Sequence, residues 1–123
     1  MVALVYDGRV VVGHVERADS FAARFMGLMG RPSVGADEGL LLPGTSSIHM
    51  FFMRTAIDCL FLSAADGEGH QQIMDLRERL RPWLGVVWWA RGARDCVELA
   101  PGAIARLGLR RGALLRLEPV PAS

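Results

Sequence analysis

The residues with the most chemical capacity gather between positions 47 and 58. Ser47, His49, Arg54 and Asp58 bring a hydroxyl, an imidazole, a guanidinium and a carboxylate into one short stretch, with Arg31 and Glu98 as outliers of the same set. An imidazole moves a proton near neutral pH or holds a ligand. A guanidinium clamps an anion through paired N–H groups, and a carboxylate orients either neighbour. These six side chains are the candidate contacts for an anionic or polar ligand. A competing reading makes Arg54 and Asp58 a buried ion pair that braces two strands, with His49 bonded to a backbone carbonyl. The brace is the favoured reading for that pair; His49 stands evenly between the two.

The elements that must position them are mostly strands. Residues 2–6 and 9–16 alternate around Asp7-Gly8, a two-residue type I′ hairpin signal. Asp19 or Ser20 caps a helix whose apolar stripe runs through Phe21, Phe25 and Leu28 and ends at Gly30 and Pro32. Residues 39–43 read as a short buried strand, and 48–54 and 57–63 as two central strands. On that reading Ser47 and His49 share a face with Phe51 and Met53, while Arg54 faces the other way. Residues 70–77 are a strand, and 76–84 suit strand or helix. Residues 86–91 and 95–99 read as a hairpin-like pair around Gly92. Pro101 opens a helical turn that Gly108 stops, and 113–118 form the last strand. The whole is one α+β domain over residues 1–123, mostly β. It reads as a small antiparallel barrel or sandwich-like sheet with one or two short helices.

Other chemistries are poorly served. A hydrolase triad of Ser46 or Ser47, His49 and Asp58 lacks a nucleophile elbow, and its nucleophile lies too near its base on one strand. Cys59 sits in an apolar run and reads as a buried, inert thiol. His14, His49 and His70 have no metal-ligand spacing, so no metal is expected, and no phosphate cradle or cofactor motif is present. Met26, Met29, Met50, Met53 and Met74 read as core filler. Between Arg77 and Arg94, arginines interleave with Trp83, Trp88 and Trp89, which suits a solvated face or a protein-binding edge better than nucleic acid.

Composition sets the outer bounds. The chain has 123 residues, 51% hydrophobic, with a formal net charge of +1, which singles out no partner class. Every basic residue is arginine, so lysine Schiff-base and Walker-lysine chemistry is excluded. No basic leader precedes the first strand and no apolar run spans a bilayer, which gives a cytoplasmic expectation without a membrane partner. Cys59 and Cys96 are expected to be reduced, and pair only if the fold joins them.

Several segments together resemble domain-of-unknown-function family 192. Phe25-Met-Gly-Leu-Met-Gly-Arg31 is similar to its "GLM-x-R" box, and Gly39-Leu-Leu-Leu42 to its "G-M-L-F" segment. Ser47-Ile-His-Met-Phe-Phe-Met-Arg54, with Ile57-Asp58 and Leu60-Phe61-Leu62, resembles its "IH-x-FFMR-x-x-ID-x-x-FL" signature. Arg81-Pro82-Trp83, the run from Val97 to Gly102, and Gly108 to Gly112 match later landmarks, so the likeness covers about residues 15–118. Ala56 replaces the usual proline, and Ala113 the usual closing aspartate. The resemblance implies a compact β-rich fold and no settled reaction; many relatives carry an export signal. The resulting expectation is a non-enzymatic binding or accessory domain with a polar pocket near His49, Arg54 and Asp58. The alternatives are an acid–base enzyme or hydrolase using His49 and Asp58, and an interaction module using residues 77–94.

Overall fold

The computed structural model describes residues 1–18, 34–44, 48–49, 56–81, 86–87 and 90–120. Of 48–49 and 86–87 it describes the backbone. The expected helix at residues 19–30 lies outside the described residues.

The first two strands, β1 (Val2–Tyr6) and β2 (Arg9–Arg17), pair antiparallel. Asp7 (φ 55°) and Gly8 (φ 75°) both adopt left-handed backbone between them, as a type I′ turn requires. Then follow β3 (Glu38–Leu42), β4 (Ile48–His49), β5 (Ile57–Leu62), β6 (His70–Leu80), β7 (Val86–Val87), β8 (Asp95–Leu99), the helix α1 (Ala103–Leu107) and β9 (Leu114–Pro119). Seven strands close a barrel in the order β1-β2-β3-β8-β5-β6-β9, and β9 returns to β1. The segment at 76–84 that suited either state is strand through Leu80.

Two expectations are corrected. The barrel is not purely antiparallel, because β2 and β3 run parallel. An odd closed ring cannot reverse direction at every step, so it must hold at least one parallel pair. A parallel pair needs a long crossover, and residues 18–37 supply it. Nor do the segments at 86–91 and 95–99 pair with each other among the described residues. β7 pairs with β4 in a separate two-stranded ribbon, which also takes residues 48–49 out of the barrel. β8 has β3 on one edge and β5 on the other, so neither edge is left for β7.

Strand alternation then sorts the core into two layers. Leu41, Leu60, Leu62, Val97 and Leu99 face the barrel interior, with Leu4, Val12, Val15, Ile73 and Leu115 from the other strands. Ile104 and Leu109 fill the same layer from α1 and the turn after it. Leu40, Leu42, Ile57, Cys59, Phe61 and Cys96 face outward, yet they too are buried. The three adjacent strands β3, β8 and β5 are therefore enclosed on both faces, and their sequences read as continuous apolar runs for that reason. Gly39 permits the close approach of β3 to β8, since a Cβ there would lie 2.9 Å from the Glu98 carbonyl oxygen. Among the described residues no helix is long and apolar enough to cross a membrane.

Candidate functional site

Asp58 and Glu98 interrupt these apolar runs, and burial of an acid demands an explanation. Asp58 shares the inward parity of Leu60 and Leu62 and is fully buried. Its Oδ1 accepts the Arg79 backbone N–H at 2.8 Å, and its Oδ2 accepts the Ile104 backbone N–H at 2.9 Å. Ile104 lies in the first turn of α1, whose capping position, Gly102, has no side chain to offer. Asp58 thus caps the helix from across the barrel, where a negative charge also suits the helix dipole. Arg79 holds a left-handed backbone (φ 52°), rare for a residue with a side chain, and Asp58 fixes its amide in that conformation. One carboxylate therefore joins β5, the bend in β6 and the start of α1.

Glu98 lies on the opposite face. Its cross-strand neighbours are Leu40 on β3 and Cys59 on β5, both in the outer layer. It is only 5% exposed, and no described residue donates a hydrogen bond to its carboxyl. Burial alone pushes its pKa up to about 7 from a usual 4.5. Cys59 stands directly opposite, and Cys96 lies two residues back on the strand of Glu98. Both thiols are free and buried. A hydrogen bond with Cys96, burial, and the nearby charges of Cys96, Glu98 and Asp58 push the Cys59 thiol well above its ordinary range. A thiol held protonated is a poor nucleophile, in keeping with the inert reading of Cys59.

The six sequence candidates are thus divided. Asp58 and Glu98 sit on adjacent strands with opposite facing, and the structure does not bring their carboxylates into one pocket. His49 is placed by its backbone on β4, while Ser47, Arg54 and Arg31 lie outside the described residues, as do Trp83, Trp88 and Trp89. The chain carrying Ser47, His49 and Arg54 links β3 to β5, the two strands that flank Glu98. His14 pairs with Asp37 at the surface, and His70 lies near Asp66 and Glu68. Among the described residues no three His, Cys, Asp or Glu side chains gather as a metal site. Nothing in the sequence signals the two amides that Asp58 serves. The signal for Glu98 was present: a single acid inside the apolar run from Cys96 to Ala100.

Fold and site together define a small, mixed seven-stranded β-barrel protein with a buried acid on a covered outer face that meets no donor among the described residues. The chain belongs to the DUF192 family, whose model, described as "Uncharacterized ACR", matches residues 3–117. It is 38% identical over 109 residues to a UPF0127 protein of Thermococcus sibiricus, a match covering 85% of this chain and 66% of that protein. A UPF0127 protein of Thermococcus gammatolerans is 35% identical over 88% of this chain and 69% of its own length. The chain thus spans about two thirds of these curated relatives. A crystal structure from Sinorhizobium meliloti 1021, of a protein named as a candidate transcription regulator, superposes with a TM-score of 0.73 at 28% identity, over 95% of this chain and 90% of that one. A protein of unknown function from Novosphingobium aromaticivorans has the same fold, with a TM-score of 0.76 at 21% identity, over 97% of this chain and 84% of its own.

Proposed function

We propose that this chain is a non-enzymatic binding domain for a small polar ligand, received on the outer face of β3, β8 and β5 around Glu98. The observation that carries this reading is the Glu98 carboxyl, enclosed by Leu40 and Cys59 without a donor among the described residues. A ligand N–H or O–H would find an acceptor in this carboxyl. Ser47, His49 and Arg54, on the connection between the flanking strands, are its proposed further contacts, with Arg54 taking any anionic end. Asp58 supports the site as scaffold, since both its oxygens are already occupied by backbone amides inside the barrel. The same occupancy argues against the acid–base enzyme built on His49 and Asp58, because each Asp58 oxygen already accepts a backbone N–H inside the barrel. Two free thiols fit a reducing, cytoplasmic setting.

The reading is tested with a panel of amine-, amide- and hydroxyl-bearing carboxylates screened by ligand-observed NMR. Binders should weaken at least tenfold in Glu98→Gln and in Arg54→Gln, with both variants folded. Binding indifferent to both substitutions would remove the site from this face.

A further inference from the structure

Asp75 gathers two arginines from distant parts of the chain. Its Oδ2 accepts Arg77 Nη2 at 3.1 Å, and its Oδ1 accepts Arg111 Nη2 at 2.5 Å and the Leu76 backbone N–H at 2.9 Å. The carboxylate is largely buried, whereas the Arg77 and Arg111 side chains are 50% and 68% exposed. One arginine suffices to neutralise one carboxylate; the second leaves a positive charge in excess. A guanidinium carries five N–H donors, and each of these spends one on Asp75. No other described residue takes the rest. Glu78, the next acid along β6, forms no ion pair with either arginine.

The two arginines are also held in place. Arg77 stands on β6, directly across from Cys59. Arg111 stands on the turn between α1 and β9, and that turn is tied to β6 by Gly112 N–H to the Ile73 carbonyl and Ile73 N–H to the Ala113 carbonyl, both at 2.8 Å. Gln72 Nε2 donates to the Gly112 carbonyl at 3.2 Å. Fixing long side chains before a ligand arrives removes much of the ordering cost of binding. Forked, weakly hydrated guanidinium pairs match the oxygens of a tetrahedral oxyanion.

We infer that Arg77 and Arg111, clamped together by Asp75 on β6 and the α1–β9 turn, form a binding site for a phosphate group. This site shares no residue with the Glu98 reading and stands or falls apart from it. Inorganic phosphate is the probe, titrated against chloride at matched ionic strength while the arginine Nε–Hε resonances are followed by NMR. Saturable shifts at Arg77 and Arg111 with phosphate alone are expected, and Arg77→Gln and Arg111→Gln should each weaken binding at least tenfold while remaining folded. Asp75→Asn separates clamp from charge. It adds net positive charge but releases the guanidinia, so a built site binds phosphate more weakly in this variant. Tighter binding in Asp75→Asn, equal shifts with chloride, or indifference to both arginine substitutions would each overturn the site and leave the triad as a brace for the turn.

Discussion

Asp58 and Glu98 are carboxylates on neighbouring strands, both sealed from water, and they differ in their partners. Asp58 faces the barrel interior and holds two backbone amides. Glu98 faces the outer layer and holds none among the described residues, so its proton is favoured up to about pH 7. Burial alone therefore does not tell scaffold from site. The number of donors that meet the charge does, because a carboxylate already met on both oxygens gains less from a ligand than one met on neither.

The sharpest way to break this contrast is to remove Asp58. Asp58→Ala orphans the amides of Arg79 and Ile104, each at about 1–3 kcal/mol, so a loss of about 4 kcal/mol is expected in urea unfolding. Asp58→Asn keeps one acceptor oxygen and should lose roughly half as much. A loss below about 1 kcal/mol for Asp58→Ala would mean that water or other donors serve those amides, and the scaffold role would fall.

Glu98 should behave in the opposite sense. Its folded pKa is raised, so the folded state holds the proton more tightly than the unfolded chain. The stability from that proton is fully present below about pH 4.5 and is lost as pH rises to about 7. The shift amounts to about 3 kcal/mol at about 1.4 kcal/mol per pH unit. Glu98→Gln, which cannot ionise, should flatten this part of the stability–pH curve and be the more stable protein above pH 7. A parent curve that is level between pH 4.5 and 7 would show that the carboxyl is met by a donor after all.

A third change sharpens the comparison by opening the wall around Glu98. Cys59→Ala removes the sulfur directly opposite, at a cost of about 1 kcal/mol from lost apolar burial. Water admitted beside the carboxyl should move the Glu98 pKa back toward 4.5, and a carboxyl-carbon NMR titration reads that shift. An unmoved pKa would mean that Cys59 contributes nothing to the desolvation of Glu98.

How far the sequence anticipates this contrast follows from range. The β1–β2 hairpin was legible because Asp7-Gly8 states its own backbone geometry, and α1 because Pro101 and Gly108 bracket it. The buried character of β3, β5 and β8 was legible in their apolar runs. Their partners were not, since alternation says that a strand has a face and not which strand lies beside it. Hence the sequence suggests a pairing of 86–91 with 95–99, and it holds no sign of the parallel β2–β3 step, which follows from closure. Asp58 stands out in the sequence as an acid, yet its role depends on two main-chain amides more than twenty residues away, which carry no side-chain signature.

The smallest effect belongs to a pair that matches Asp58 in distance but not in burial. Asp37 accepts the Gly13 backbone N–H at 2.6 Å and lies 3.0 Å from His14 Nδ1, and both side chains are well exposed. The Gly13 amide, then His14, hold the Asp37 carboxyl below its usual range. Solvent screens such a pair, and water replaces the lost partner without leaving anything orphaned. His14→Ala is therefore expected to change stability by no more than about 0.5 kcal/mol, measured beside Asp58→Ala under identical conditions. If His14→Ala instead costs more than about 1 kcal/mol, distance rather than burial governs the worth of these contacts. The contrast between Asp58 and Glu98 would then need an explanation other than the donors each one meets.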